Sequence, residues 1–174
     1  MPPGRREALI LGGVGLAAAL VGALTGPMLL QSGSGAAELL GTPFADLAGR
    51  PRRLLEWNGK ILVCNFWATW CAPCREEIPM LVQVREKYAS EGMEIVGIAV
   101  ENNNKIYEFS SNFKITYPLL IGGVDAIDLM RKLGNRAGGL PFTVVLDRLG
   151  TIVERKLGAL RRLELESWIE AMMR

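Results

Sequence analysis

The stretch that decides the fold is Ile61-Leu-Val-Cys-Asn-Phe-Trp67, followed directly by Ala68-Thr-Trp-Cys-Ala-Pro-Cys74. A near-continuous apolar run of this kind is typical of a strand that is buried on both faces of a sheet. From Ala72 to Ala89 the apolar positions follow a helical period, which Pro79 interrupts and is expected to kink. The sequence therefore places two cysteines where a buried strand gives way to a helix.

The rest of the chain alternates strands and helices. Met93–Val100 predicts a second buried strand, and the strand–helix–strand order implies a right-handed parallel crossover. Short apolar patches in Phe44–Trp57, broken by a glycine and a proline, predict a small hairpin at a sheet edge. The remaining predicted elements are helices over Asn102–Phe113, Val124–Leu133 and Leu160–Met173 and strands over Pro118–Ile121, Pro141–Asp147 and Thr151–Leu157. The pattern indicates an α/β sandwich with a mixed sheet.

The N-terminal segment predicts export. Residues 8–30 are almost entirely apolar, and no charge occurs from residue 8 to residue 37. At about 1.5 Å per residue, a helix over residues 8–30 would span roughly 34 Å, against about 30 Å for a hydrocarbon core. Arg5 and Arg6 precede it, so the positive-inside rule places Glu38–Arg174 outside the cytoplasm. Either an uncleaved membrane anchor or a cleaved signal peptide fits this segment.

These features predict two regions. Residues 1–37 form the anchor or signal segment with a linker over 31–37, and residues 38–174 form the folded domain. The expected location is the bacterial inner membrane, crossed once, with the domain in the periplasm or otherwise outside the cytoplasm. Cleavage of the segment would instead give a soluble periplasmic protein.

Composition excludes several kinds of chemistry. The chain has no histidine, which excludes Ser–His and Cys–His catalysis and histidine-ligated metal sites. Three cysteines are too few for a four-ligand zinc site. The net charge of +2 gives no basic surplus, so we expect no binding to nucleic acid.

The paired cysteines carry the predicted chemistry. Cys71 would begin a helix, where unpaired backbone N–H groups and the helix dipole stabilise a thiolate. Cys74 lies one helical turn further on and can close a small disulfide ring, which gives an attacking thiol and a resolving thiol. The alternatives are a structural disulfide and a copper-handling binding module that uses the two thiolates. We expect no cofactor besides a redox-active Cys71–Cys74 disulfide, and no resident metal.

Two segments then carry a family resemblance. Asn65-Phe-Trp-Ala-Thr-Trp-Cys-Ala-Pro-Cys-Arg-Glu-Glu-Ile-Pro79 resembles the active-site segment of the TlpA/ResA-type membrane-anchored thioredoxins, and Gly139-Leu-Pro-Phe-Thr143 resembles their second signature. The resemblance implies a thioredoxin fold with an added N-terminal hairpin, and thiol–disulfide exchange outside the cytoplasm. Its members commonly reduce selected protein disulfides in cytochrome c maturation or copper-site assembly. They draw electrons from a membrane-embedded thiol donor, which is therefore an expected partner beside the client proteins.

The same resemblance assigns roles to single residues. Cys71 matches the nucleophile and Cys74 the resolving thiol. Pro141 matches the cis-proline that faces the disulfide; the alternative is a proline at the start of an edge strand. Trp67 and Trp70 flank the site, and core packing is the alternative for either. Trp70 and Leu140 are expected to contact the client protein. A peroxide-reductase function is disfavoured because no threonine precedes either cysteine by three residues.

One carboxylate is a further candidate for the catalytic site. Glu77 matches an acidic residue near the disulfide in ResA-like members and shares a helix face with Cys74; the alternative is a solvated surface carboxylate. Asn65 stands where cytosolic thioredoxins carry a buried aspartate, so it cannot serve as their proton acceptor. We expect Glu77 to have a raised pKa and to relay protons. Cys64, amid apolar neighbours, is predicted to be a buried inert thiol.

Overall fold

The computed structural model describes residues 35–102 and 105–174. The predicted membrane or signal segment over residues 8–30 lies outside these ranges. Residues 35–41 are helical (α1), so residues 35–37, which composition assigned to the linker, are part of a helix. Across the described ranges, no helix has both the length and the apolar character needed to cross a membrane.

Seven strands form one mixed sheet. They are β1 (Phe44–Asp46), β2 (Pro51–Arg52), β3 (Ile61–Trp67), β4 (Met93–Ala99), β5 (Leu119–Ile121), β6 (Phe142–Leu146) and β7 (Ile152–Leu157). Their order across the sheet is β2-β1-β5-β4-β3-β6-β7. The β3–β4 and β4–β5 pairs are parallel, and the other neighbours are antiparallel. The predicted hairpin is β1–β2, at one edge of the sheet.

The centre of the sheet explains the apolar runs in the sequence. Every residue of β3, β4 and β6 is buried, because these strands are covered on both faces. β7 alternates half-buried and exposed residues, as expected of an edge strand with one solvated face. The prediction of buried strands over Ile61–Trp67 and from Met93 is confirmed.

Four further helices pack around the sheet. They are α2 (Ala72–Tyr88), α3 (Lys105–Asn112), α4 (Asp125–Lys132) and α5 (Arg162–Met173). The helix predicted over Asn102–Phe113 corresponds to α3, and Asn102 itself is not helical. α2 and α5 are joined by a hydrogen bond of 2.6 Å from the Tyr88 hydroxyl to Glu170. Pro79 lies within α2.

Topology brings the two signature segments together. Phe66 pairs with Phe142 and Asn65 with Thr143, so the end of β3 lies beside the start of β6. The cysteine turn follows β3, and Pro141 precedes β6; both therefore lie at the same edge of the sheet. This is a thioredoxin-like α/β arrangement with an added N-terminal hairpin, as the resemblance implies.

Candidate active site

The cysteine pair lies at the N-terminus of α2. Cys71 is the N-cap residue, and its Sγ accepts a hydrogen bond of 3.3 Å from the backbone N–H of Cys74. The two residues are joined in a disulfide with a Cα–Cα distance of 5.3 Å. Pro73 lies in the first turn, where its missing N–H leaves no helix hydrogen bond unmade. Cys71 is 6% exposed and Cys74 fully buried, so Cys71 is the sulfur that solvent reaches first.

One face of α2 points into the protein. Cys71, Cys74 and Glu77 recur every third residue and are all buried, whereas Glu76 is exposed. Glu77 is only 4% exposed. The predicted shared face of Cys74 and Glu77 is confirmed, and the alternative of a solvated surface carboxylate is wrong.

The Glu77 carboxylate is held by groups from two other parts of the fold. Asn65 in β3 donates from Nδ2 to Oε1 at 2.7 Å, and the backbone N–H of Leu160 donates to Oε2 at 2.8 Å. Asn65 Nδ2 also donates to the Thr143 hydroxyl oxygen at 3.0 Å. The carboxylate thus connects the cysteine helix to β3 and to the segment before α5.

Burial controls the charge state of Glu77. Removal from water raises the pKa of the Glu77 carboxyl above its ordinary value of 4.5, and the hydrogen bonds from Leu160 and Asn65 oppose this rise in part. The predicted direction of the shift is confirmed. A carboxyl with a raised pKa can exchange a proton closer to neutral pH than a surface glutamate can.

The loop before β6 forms the other wall of the site. The Leu140–Pro141 peptide bond is cis, and Pro141 is buried with its carbonyl accepting the Gly158 N–H at 2.8 Å. Asn135 holds this loop: its Nδ2 donates to the Gly139 carbonyl at 2.8 Å, and its Oδ1 accepts the Gly139 N–H at 3.3 Å. The sequence interpretation missed Asn135, although asparagine in a glycine-rich loop is a known signal for such side-chain-to-backbone bonds.

The two tryptophans near the cysteines have different environments. Trp67 is fully buried and its ring centre lies 5.2 Å from that of Phe109, so it is a core residue. Trp70 is 69% exposed and precedes Cys71, and Leu140 is half-buried in the loop before β6. Trp70 and Leu140 are therefore accessible to a second protein, whereas Trp67 is not.

The third cysteine, Cys64, is not part of the Cys71–Cys74 pair. Cys64 is a free, fully buried thiol, and burial raises its pKa, so it stays protonated as predicted. Over residues 35–102 and 105–174, no group of three histidine, cysteine, aspartate or glutamate side chains comes together as a metal site.

A disulfide at a strand-to-helix turn, at the same end of this α/β sheet as a cis-proline, defines a thiol–disulfide oxidoreductase. The chain belongs to the Redoxin family, whose sequence profile matches residues 36–170. It is 30% identical over 129 residues to the thiol-disulfide oxidoreductase ResA of Geobacillus thermodenitrificans, covering 74% of this chain and 72% of that protein.

Solved structures show the same similarity. A thiol:disulfide interchange protein of the thioredoxin family from Chlorobium tepidum superposes with a TM-score of 0.68 at 28% identity, covering 76% of this chain and 93% of that one. A secreted Mycobacterium tuberculosis disulfide oxidoreductase, described as homologous to Escherichia coli DsbE, gives a TM-score of 0.64 at 25% identity. It covers 77% of this chain and 98% of that one.

Proposed function

We propose that this protein works outside the cytoplasm as a reductant of disulfides in client proteins. The observation that carries the direction of exchange is the buried Glu77 carboxylate on the cysteine face of α2. A negative charge near the thiols disfavours their thiolate forms. When ionisation of the thiols is disfavoured, the reduced dithiol is less stable relative to the disulfide. Such a dithiol gives up its electrons more readily and is the stronger reductant.

The exchange proceeds in two steps, attack on the client disulfide and resolution of the mixed disulfide. The Cys71 thiolate attacks one sulfur of the client disulfide, forming a mixed disulfide and releasing the first client thiolate. Cys74 then loses its proton and attacks Cys71 Sγ, which forms the Cys71–Cys74 disulfide and releases the second client thiolate. Two electrons pass from the protein dithiol to the client, and a membrane-embedded thiol donor restores the dithiol.

Glu77 supplies the proton acceptor for the second step. Asn65 is buried where it contacts Glu77, but an amide does not take up a proton at ordinary pH. Burial raises the pKa of the Glu77 carboxyl above 4.5, in the direction that favours proton transfer closer to neutral pH. Asn65 can serve both charge states of Glu77, because turning its amide exchanges a donor for an acceptor.

The surface around Cys71 supports binding of an extended client segment. Trp70, next to Cys71 in the chain, offers an exposed indole, and Leu140, which precedes the cis-proline, is half-buried. A cavity of about 290 Å³ next to the cysteine turn is lined by Ala72, Arg75, Glu76 and Phe113. The family resemblance supports clients from cytochrome c maturation or metal-site assembly.

The reduction potential of the Cys71–Cys74 pair tests this proposal. Reference values are about −270 mV for thioredoxin and about −120 mV for the oxidant DsbA. We expect the purified protein, equilibrated with glutathione buffers, to have a potential nearer the thioredoxin value. A potential near that of DsbA would show that the protein oxidises its clients instead.

A further inference from the structure

A second carboxylate contacts the loop that leads into the cysteine turn. Glu101 follows the end of β4, and its Oε1 accepts a hydrogen bond of 2.5 Å from the backbone N–H of Thr69. Its Oε2 accepts the Thr69 hydroxyl at 3.2 Å. Glu101 is 9% exposed, so both bonds form largely away from water. Hydrogen bonds from a backbone N–H to a carboxylate are charge-assisted and stronger than those between neutral groups.

The contacts fix a short, otherwise irregular segment. The Val100 N–H donates to the Trp67 carbonyl at 2.9 Å, which continues the β3–β4 pairing to the last residue of β3. Three residues then separate Trp67 from Cys71, and the Cys71 N–H donates to the Ala68 carbonyl at 3.2 Å. Glu101 bonds to Thr69, the middle residue of these three, and Thr69 immediately precedes the exposed Trp70.

We propose that Glu101 is a positioning residue for thiol–disulfide exchange, which holds the Thr69–Trp70 turn so that Cys71 Sγ occupies the N-cap of α2. Glu101 bonds to Thr69 and acts on the cysteine turn through it. The inference does not depend on the direction of electron flow, because attack by Cys71 is needed whether the protein reduces or oxidises its client.

Three substitutions separate positioning from simple charge effects. Glu101→Gln removes the charge but keeps an oxygen at the position that accepts the Thr69 N–H. Glu101→Asp keeps the charge but withdraws the oxygens by one methylene. Glu101→Ala removes both. Glu108→Gln, at an exposed carboxylate on α3, is the control for loss of a negative charge elsewhere.

The measurement is the pH profile of Cys71 alkylation in the reduced full-length protein, read by mass spectrometry at Cys71. We expect Glu101→Asp and Glu101→Ala to lower the Cys71 rate at neutral pH about tenfold, because a thiolate that leaves the N-cap loses about one pKa unit of stabilisation. Glu101→Gln and Glu108→Gln should stay within about threefold of the unmodified chain, since an N-cap effect needs geometry rather than the Glu101 charge.

Two results would overturn the proposal. In the first, Glu101→Asp reacts like the unmodified chain. In the second, Glu101→Gln and Glu101→Asp change the rate equally. If Glu101→Ala fails to fold, the Asp and Gln variants still decide between these outcomes, because each keeps a polar group at the site.

Discussion

At the scale of single residues, the Glu77 carboxyl is the feature that separates this site from a simple dithiol. It is buried one helical turn from Cys74, and its hydrogen-bond partners come from β3 and from the segment before α5. Asn65 cannot replace it as a base, because its amide only donates to or accepts from the carboxyl. We therefore expect the proton transfer of the resolving thiol to depend on this one side chain.

Glu77→Gln should change the pH profile of exchange. Loss of a buried negative charge near the thiols should lower the pKa of at least one cysteine, while loss of the proton acceptor should slow resolution of the mixed disulfide. Ultraviolet absorbance of the thiolate, followed against pH in the reduced protein, measures the first effect. Glu76→Gln is the matched control, because Glu76 is the exposed neighbour. Identical titration curves for Glu77→Gln and the unmodified chain would show that Glu77 does not act on the thiols.

Glu77 should also make stability depend on pH in a defined direction. Its pKa in the folded state lies above the ordinary value of 4.5, so between these two pKa values the folded protein binds more protons than the unfolded chain. The free energy of unfolding should therefore fall as pH rises above 4.5 until the folded pKa is passed. Urea unfolding of the oxidised protein at several pH values tests this. The free energy of unfolding of the unmodified chain minus that of Glu77→Gln should become more negative as pH rises, because only the glutamate loses a proton. A difference that does not change with pH would contradict the account.

At the scale of elements, α2 is fixed to the sheet by a partly buried ion pair. Arg85 in α2 donates to Glu94 in β4 through Nε at 2.5 Å and Nη2 at 3.1 Å. Glu94 is buried, and its other cationic neighbour, Lys60, is 4.0 Å away. The pair therefore anchors the far half of the helix whose first turn carries the cysteines.

Arg85→Ala should lower the free energy of unfolding by about 2 kcal/mol, because it leaves the Glu94 charge poorly compensated inside the protein. The partial exposure of Arg85 keeps this below the cost for a fully buried pair. Arg131→Ala is the control, since the Arg131–Asp128 pair is exposed on both sides and should cost less than about 0.5 kcal/mol. Urea denaturation measures both. Equal losses in the two variants would contradict the assigned role of the pair.

The sequence predicted the elements better than the contacts between them. β3 was predicted from Ile61 to Trp67 without error, because a strand covered on both faces leaves a continuous apolar run. The bond from Leu160 to Glu77 joins residues 83 apart, and the bond from Thr69 to Glu101 joins residues 32 apart. No periodicity marks such contacts, since they arise only when the sheet brings its loops together.

At the scale of the whole molecule, the sheet order explains why two distant segments form one site. β3 and β6 are neighbours, so the cysteine turn and Pro141 lie at the same end of the sheet although Cys74 and Pro141 are 67 positions apart in the chain. The resemblance predicted this arrangement, whereas composition and periodicity alone gave only an α/β sandwich. Glu101 escaped prediction because its partner Thr69 lies 32 residues away in the chain, and no sequence pattern marks such a contact. Asn135 was missed although its glycine-rich loop carries a signal for side-chain-to-backbone bonds.

The location of the domain remains a prediction from the N-terminal sequence. Arg5, Arg6 and the uncharged residues 8–37 predict that Glu38–Arg174 is exported. A reporter that is active only after export, fused after Arg174, should be active. Replacing two central leucines of residues 8–30, Leu16 and Leu20, with lysines should abolish that activity, because charges block membrane insertion. An active reporter in the lysine variant, or an inactive one in the unmodified chain, would contradict export through this segment.

The most direct test of the central claim is to trap the mixed disulfide. Without Cys74 the bond between Cys71 and a client cannot resolve, so Cys74→Ser should accumulate covalent adducts that a strong reductant releases. Cys71→Ser should accumulate none, since the attacking sulfur is gone. Mass spectrometry of the adducts identifies the protein cysteine involved. Adducts through Cys71 are the predicted result; adducts through Cys64, or their accumulation in Cys71→Ser, would contradict the assignment of nucleophile and resolving thiol.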